Sequence, residues 1–186
     1  MKDDWVIVLD FLPEGHPGRG RPEPIVQAIG EKYFSLLEII PREGVTLTVG
    51  DRVYIGEGTR EKVKYIKRSI SLEELTTLAR AEVEGVIKDL INESDERFIE
   101  FFNKAEPIST RMHSFELLPG IGKKHMWELI EARKEKPFES YEDLKKRVPS
   151  IPDPKKLLFK RIMTELKGED TRHRLFVMHK KKEFER

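Results

Sequence analysis

The stretch ELLPGIGKKHMWELI, Glu116 to Ile130, sets Pro119, Gly120 and Gly122 inside sequence that is otherwise helical in character. Pro and Gly are the poorest helix-interior residues, so the stretch reads as two short helices joined by a tight turn. Glycine permits backbone angles that a side chain forbids, and it lets another group come close to the main chain. Ile121, between the glycines, is an apolar plug that would fix the turn. A helix then starts at Lys123. The first N–H groups of a helix have no partner inside it and carry the positive end of its dipole. Such a start is an anion site made of backbone, here with Lys123 and Lys124 at its rim. The arrangement suits a phosphate.

Around this turn the pattern remains helical. A short helix fits Ser109–Leu118, and the next runs from Lys123 to about Lys134, with Pro137 beyond it. Ser140 opens a third helix that ends at Val148-Pro149. Asp153-Pro154 is an N-cap followed by Pro at the first helical position, and Gly168 suits the end of that fourth helix. Leu175–Met178 reads as a last strand and 179–186 as a basic tail. Upstream, Ser71 to Glu74 has the form of a capping box, and Leu72, Leu75, Ala79, Val83, Val86 and Leu90 follow helical spacing. A second helix near Ser94 carries Phe98, Ile99, Phe101 and Phe102.

The first 70 residues read differently. Apolar, β-branched runs at Val6–Leu9, Ile25–Ile29, Tyr33–Ile40, Val45–Val49, Val53–Ile55 and Val63–Ile70 are separated by Gly and Pro. Short strands at this spacing suggest a small barrel. The expected α+β organisation is a β-barrel over 1–70, an acidic helical connector over 71–106, a helical hairpin domain over 107–178 and the tail.

Charge follows the same division. Residues 70–106 hold 4 Lys+Arg against 10 Asp+Glu, and residues 107–186 hold 20 against 13. A basic module behind an acidic one points to a polyanionic partner more than the net charge of +1 does. The chain lacks cysteine, which excludes a disulfide framework and fits a reducing cytoplasm. No apolar run approaches the roughly 20 residues of a membrane span. Acids stand where a secretion signal needs basic residues, so a cytoplasmic location and no membrane partner are expected.

The run L-L-P-G-I-G-K-K-x-x-W-x-L-I-x-x-R resembles a helix-hairpin-helix motif, a module of many DNA and RNA enzymes that holds nucleic acid without reading sequence. The resemblance implies that the amides of Gly120 and Gly122, with those around Lys124, hold a backbone phosphate. It also matches Arg133 to a basic position at the end of the second helix. PFESYEDLKKRVPSIPDPKKL resembles the partner hairpin of paired domains, but Pro149-Ser150-Ile151-Pro152 replaces both glycines and removes an amide donor. Lys145, Lys146, Arg147, Lys155 and Lys156 remain as sources of charge there. Taken whole, the chain resembles an archaeal family, number 655 in the domain-of-unknown-function series, whose members are described as candidate RNA-binding proteins. The resemblance implies an oligonucleotide-binding-fold-like barrel before the hairpins, and it supplies no catalytic residues.

Pro13–Pro24 is a loop carrying Arg19 and Arg21, of the kind that touches nucleic acid in such barrels. Tyr54, Tyr65, Lys64, Lys67 and Arg68 interleave aromatics with charge, as stacking platforms do. The five histidines show no metal-ligand spacing, and GIGKKH lacks the residues of a phosphate-binding P-loop. Asp3, Asp4 and Asp10 are formal candidates for magnesium, and Asp143 for a glycosylase carboxylate, but solvation and helix capping account for them. No cofactor or metal is expected. The reading is a nucleic-acid-binding protein, RNA ahead of DNA, with no assigned reaction. The alternatives are a protein–protein module on a ribosomal or repair assembly, and a nuclease or base-processing enzyme whose site carries no recognised motif.

Overall fold

The computed structural model describes residues 2–18, 22–170 and 172–178. Arg19, Arg21 and the tail 179–186 therefore lie outside the described residues. The chain divides into two compact units, Met1–Val86 with Phe176–Arg186, and Ile87–Leu175. The division falls within a helix.

The first unit is built on β1 (Trp5–Leu12), β2 (Ile25–Gly30), β3 (Leu36–Pro41), β4 (Arg52–Tyr54) and β5 (Val63–Ser69). They form one antiparallel sheet in the order β4-β1-β2-β3-β5. Register shifts interrupt β1 between Val8 and Asp10, and β3 between Glu38 and Ile39 and between Ile40 and Pro41. Such bulges bend a strand and increase its twist. The sheet curls accordingly into a half-barrel. Among the described residues no ladder joins β4 to β5, so the expected closed barrel is open along one side.

The inside of the curl is apolar, with Val6, Val8, Val26, Ala28, Ile39 and Val53 in its core. β2 and β3 are buried on their other face too. There the chain supplies exact partners for the polar residues: the Gln27 amide donates to the Glu74 carbonyl at 3.1 Å and accepts from the Thr76 N–H at 2.8 Å. Val45–Val49, expected as a strand, is an irregular segment between Gly44 and Gly50, both at positive φ. Its alternation has a simpler cause. Leu47 plugs the core while Val49 is exposed, and only the following residues pair with β1. The expected last strand at Leu175–Met178 is also irregular, although the Met178 N–H donates to the Tyr33 carbonyl at 3.0 Å.

The capping box at Ser71 and Glu74 forms, but it opens only a 3-10 turn, Leu72–Glu74. Leu75 leaves the helix with ψ 146°. The hydroxyl of Thr76 then accepts from the Ala79 N–H at 3.0 Å and starts α1 (Thr77–Glu93). The expected single helix is thus two elements.

The second unit contains the end of α1, α2 (Asp95–Lys104), the small hairpin β6 (Pro107–Ser109) and β7 (Met112–His113), then α3 (Lys123–Glu135), α4 (Tyr141–Arg147) and α5 (Pro154–Lys167). Phe98, Ile99 and Phe102 of α2 are buried, as are Phe115, Leu118, Leu129, Leu144, Leu158 and Ile162, and the Phe102 and Phe115 rings stack. The helix expected over Ser109–Leu118 is replaced by β6, β7 and one 3-10 turn, Ser114–Leu117. The cap of that turn is His113. Its Nδ1 accepts from the Phe115 N–H at 3.1 Å, and the Glu116 carboxylate accepts from the His113 N–H at 2.8 Å. The start of the turn is therefore fixed at Ser114, five residues after Ser109.

Candidate functional site

Between Leu118 and α3 the chain reverses in four residues. The Ile121 N–H donates to the Leu118 carbonyl at 3.0 Å, and Gly120 holds φ +95°, where L side chains are strained. Ile121 is buried as the plug, as are Leu118 before it and Met126 after it. Gly122 is the N-cap of α3, with ordinary extended angles, φ −97° and ψ −171°. Its carbonyl accepts the first helical bond, from the Met126 N–H at 3.0 Å.

What Gly122 does not supply is a side-chain oxygen. The neighbouring helices have one. The Ser140 hydroxyl accepts from the Asp143 N–H at 3.0 Å at the start of α4, and the Asp153 carboxylate accepts from the Lys155 N–H at 2.9 Å at the start of α5. A Cβ added at Gly122 would meet nothing within 4 Å, so the start of α3 faces open space. Its first amides are left for an outside acceptor, with the positive end of the dipole behind them.

Gly120, Ile121, Gly122, Lys123 and Lys124 are thus brought together. The two lysines differ. The Lys123 ammonium lies 3.0 Å from the Glu116 carboxylate and donates to the Arg111 carbonyl at 2.9 Å. That carboxylate is held below its usual range by the His113 N–H first and by Lys123 second. Lys123 therefore braces the turn against the β6–β7 hairpin. Lys124 is 83% exposed and reaches Glu128 only at 4.0 Å, which leaves it the looser charge. Arg133 stands apart. Its guanidinium is half-buried, donates to the Phe102 carbonyl at 3.1 Å and lies 5.3 Å from the centroid of the Phe115 ring. Burial lowers its pKa, with Glu106 opposing. It locks α3 to the end of α2 rather than facing solvent at the turn.

The second turn repeats the first in outline. Ile151 is buried, and its N–H donates to the Val148 carbonyl at 3.4 Å. Ser150 has negative φ, so this turn is not a copy of the first with a substituted glycine. Its helix start is already occupied by the Asp153 carboxylate. Lys145 folds back onto the Pro149 and Ile151 carbonyls, and Arg147 onto the carbonyls of Pro137 and Lys136. Lys146 and Lys156 remain exposed. The two turns meet where a Cβ on Gly120 would lie 3.5 Å from Pro152 Cγ.

Beneath the first turn lies a feature that the sequence reading missed. Arg161 and Glu165 of α5 are buried together, Nε to Oε1 at 2.7 Å. Arg161 also donates to the Leu117 carbonyl, just before the turn, at 3.4 Å, and to Asp170 at 3.2 Å. Glu165 accepts from the Leu175 N–H at 2.7 Å. The signal was present: Leu158, Arg161, Ile162 and Glu165 share one helical stripe, so a charged pair sits inside an apolar face.

In the first unit a pocket of about 170 Å³ opens beside Glu14, His16, Glu23, Glu38, Lys67 and Arg68. Glu38, almost fully buried, accepts from His16 Nε2 at 2.6 Å, Gln27 Nε2 at 3.2 Å and Arg68 Nε at 2.8 Å. Burial pushes its pKa up, but these donors outweigh burial and hold it below the usual range. Tyr65 and Lys67 are both tied to Glu23, at 2.8 and 2.9 Å, and the Tyr54 hydroxyl accepts from the Gly58 N–H at 3.1 Å. Tyr65 and Lys67 are thus joined through Glu23, while Tyr54 stands at the other edge of the sheet, so the two tyrosines do not form one stacking face. Asp3 accepts from the N–H groups of Lys32 and Tyr33, at 2.8 and 2.7 Å, and Asp10 from that of Phe11 at 2.8 Å. Among the described residues no cluster of His, Asp and Glu is arranged to hold a metal ion, and no helix is long and apolar enough to cross a membrane.

A curled antiparallel sheet and a helical unit with two short turns define a mixed α+β protein. Residues 2–178 match the family described as "Protein of unknown function (DUF655)", and the chain belongs to that family. It is 42% identical over 180 residues to the uncharacterized protein MJ0038 of Methanocaldococcus jannaschii, covering 96% of this chain and 82% of that protein. The crystal structure of Af1531 from Archaeoglobus fulgidus, ascribed to the same family, superposes with a TM-score of 0.81 at 47% identity. The match covers 95% of this chain and all of that one.

Proposed function

We propose that this protein binds nucleic acid, RNA ahead of DNA, by holding a backbone phosphate on the start of α3. The observation that carries this reading is the Gly122 cap. The turn delivers a helix N-terminus to open space, leaves its amides without a side-chain acceptor and sets Lys124 beside them. In this reading the second unit is a paired helix-hairpin-helix domain whose first turn binds. Its second turn is structural, because Asp153 fills the equivalent anion position. The half-barrel is oligonucleotide-binding-fold-like: joining β4 to β5 would close the order β4-β1-β2-β3-β5 into a five-stranded barrel. Backbone amides do not read bases, so sequence specificity is low. The turn does not discriminate RNA from DNA, and RNA is placed first on the family resemblance alone.

The test is affinity for single-stranded RNA, duplex RNA and duplex DNA across a salt series. Each phosphate neutralised contributes about −0.7 to −0.9 to the log–log slope, so a slope of roughly −2 to −4 is expected. Failure of the folded protein to bind any of the three would overturn the proposal.

A further inference from the structure

The chain has two tryptophans, and their surroundings differ. Trp5, 37% exposed, is covered on its face by the Arg52 guanidinium, 3.8 Å from the ring centroid, and met at its edge by Tyr54. Trp127, on α3, is 55% exposed, the most of any large hydrophobic side chain described. Among the described residues neither a ring nor a cation packs on it. Burying an indole is one of the larger apolar gains open to a side chain, and this one forgoes it.

Its position points to an occupant. Trp127 follows Lys123 and Lys124 by four and three residues, on the same face of α3 and about 5–6 Å away between Cβ atoms. Helical side chains lean toward the N-terminus, so the indole leans over the turn that carries the two lysines, beside the open amides. The nearby acids are already engaged: Glu128 accepts from the Ser150 hydroxyl, and Glu131 pairs with Lys134 at 2.8 Å. A flat apolar surface one helical turn, about 5.4 Å along the axis, from a phosphate seat is placed to meet a base next to that phosphate.

We propose that Trp127 stacks on an unpaired base next to the phosphate held at Gly122, so that this turn prefers single strands to duplexes. The proposal rests on the phosphate-binding reading of the same turn. A base paired inside a duplex does not offer its face to the indole, whereas any unpaired base does, without regard to sequence.

The experiment compares a short single-stranded RNA with an abasic oligomer of the same length and charge, against wild type, Trp127→Ala and Trp127→Phe. Wild type should bind the RNA about 5- to 150-fold more tightly than the abasic chain, the range for one stacked base. Trp127→Ala should bind both as wild type binds the abasic chain, with duplex RNA affinity unchanged, and Trp127→Phe should recover part of the difference. Equal binding of the two ligands by wild type would overturn the stacking and leave the phosphate grip standing. An equal loss for both ligands in Trp127→Ala would also overturn it, marking the indole as a packing residue. Binding of neither ligand by wild type would overturn both readings, and a protein partner would then be the occupant to seek on this face.

Discussion

Gly122→Asp should make the protein more stable while it removes nucleic-acid binding. Gly122 has extended backbone angles that any residue adopts, and a Cβ there meets open space, so aspartate fits without displacing anything. Its carboxylate can accept from the amide of Lys124 or His125, as Asp153 does from Lys155 at 2.9 Å in the same unit. Aspartate exceeds glycine as an N-cap by a few tenths of a kcal/mol, and a carboxylate at the positive end of a helix dipole adds about 0.3–1 kcal/mol. A gain of about 0.5–1.5 kcal/mol raises the melting temperature by a few degrees in a chain of this size. The same carboxylate occupies the donors that would hold a phosphate and repels it. Losing charge-assisted hydrogen bonds of this kind costs binding about 1–3 kcal/mol, roughly 5- to 150-fold. Gly122→Ser caps without charge and should fall between. The assay pairs thermal denaturation with fluorescence anisotropy on labelled single-stranded RNA at fixed salt. If Gly122→Asp is at least as stable as wild type and binds RNA equally well, the amides of α3 are not the site and the reasoning fails.

Three further outcomes follow from the same geometry. Gly120→Ala should destabilise by about 1–2 kcal/mol, because φ +95° is strained for any L side chain even where space is ordinary; an unchanged chemical denaturation midpoint would contradict the turn. Glu38→Ala should cost about 3 kcal/mol in the same measurement, the low end for breaking a buried ion pair, since Arg68 keeps Glu74. His113 should make stability depend on pH. Burial first, and Arg133 second, depress its pKa, while the unfolded chain takes up that proton near 6.5. Its contribution is full above about pH 6.5 and is lost as pH falls through that value toward the lower folded one. His113→Asn keeps a capping acceptor without the titration, so its melting temperature should fall less than that of wild type between pH 7 and 5.5; parallel curves would refute this.

The parts of the molecule that local chemistry decides were legible in the sequence. Pro119 to Gly122 announces its turn, Ser140 and Asp153 their helix starts, and Gly168 the αL end of α5. Each needs only its near neighbours in the chain. The misreadings arise where a distant partner decides. Val45–Val49 alternates like a strand, but β1 pairs with Arg52–Tyr54 and leaves Leu47 as a plug. Leu75 continues a helical spacing, yet Gln27, distant in sequence, binds Glu74 and Thr76 and holds the break between them. His113 carries no local signal of a cap, because imidazole lies outside the usual set of Ser, Thr, Asp and Asn. At the candidate site the glycines, the plug and the lysines could be read directly. That Lys123 is braced by Glu116, and that Arg133 belongs to the core around Phe115, depends on contacts that no local pattern encodes.

The central claim is that the open amides of α3 hold a phosphate. The most direct measurement is a titration of isotopically labelled protein with single-stranded RNA, followed by amide NMR shifts. The account requires the N–H signals of Lys123, Lys124 and His125 to move most and to saturate together, with those of Lys155 and Asp143, already capped, moving little. RNA that binds while the three α3 amides stay in place would contradict it.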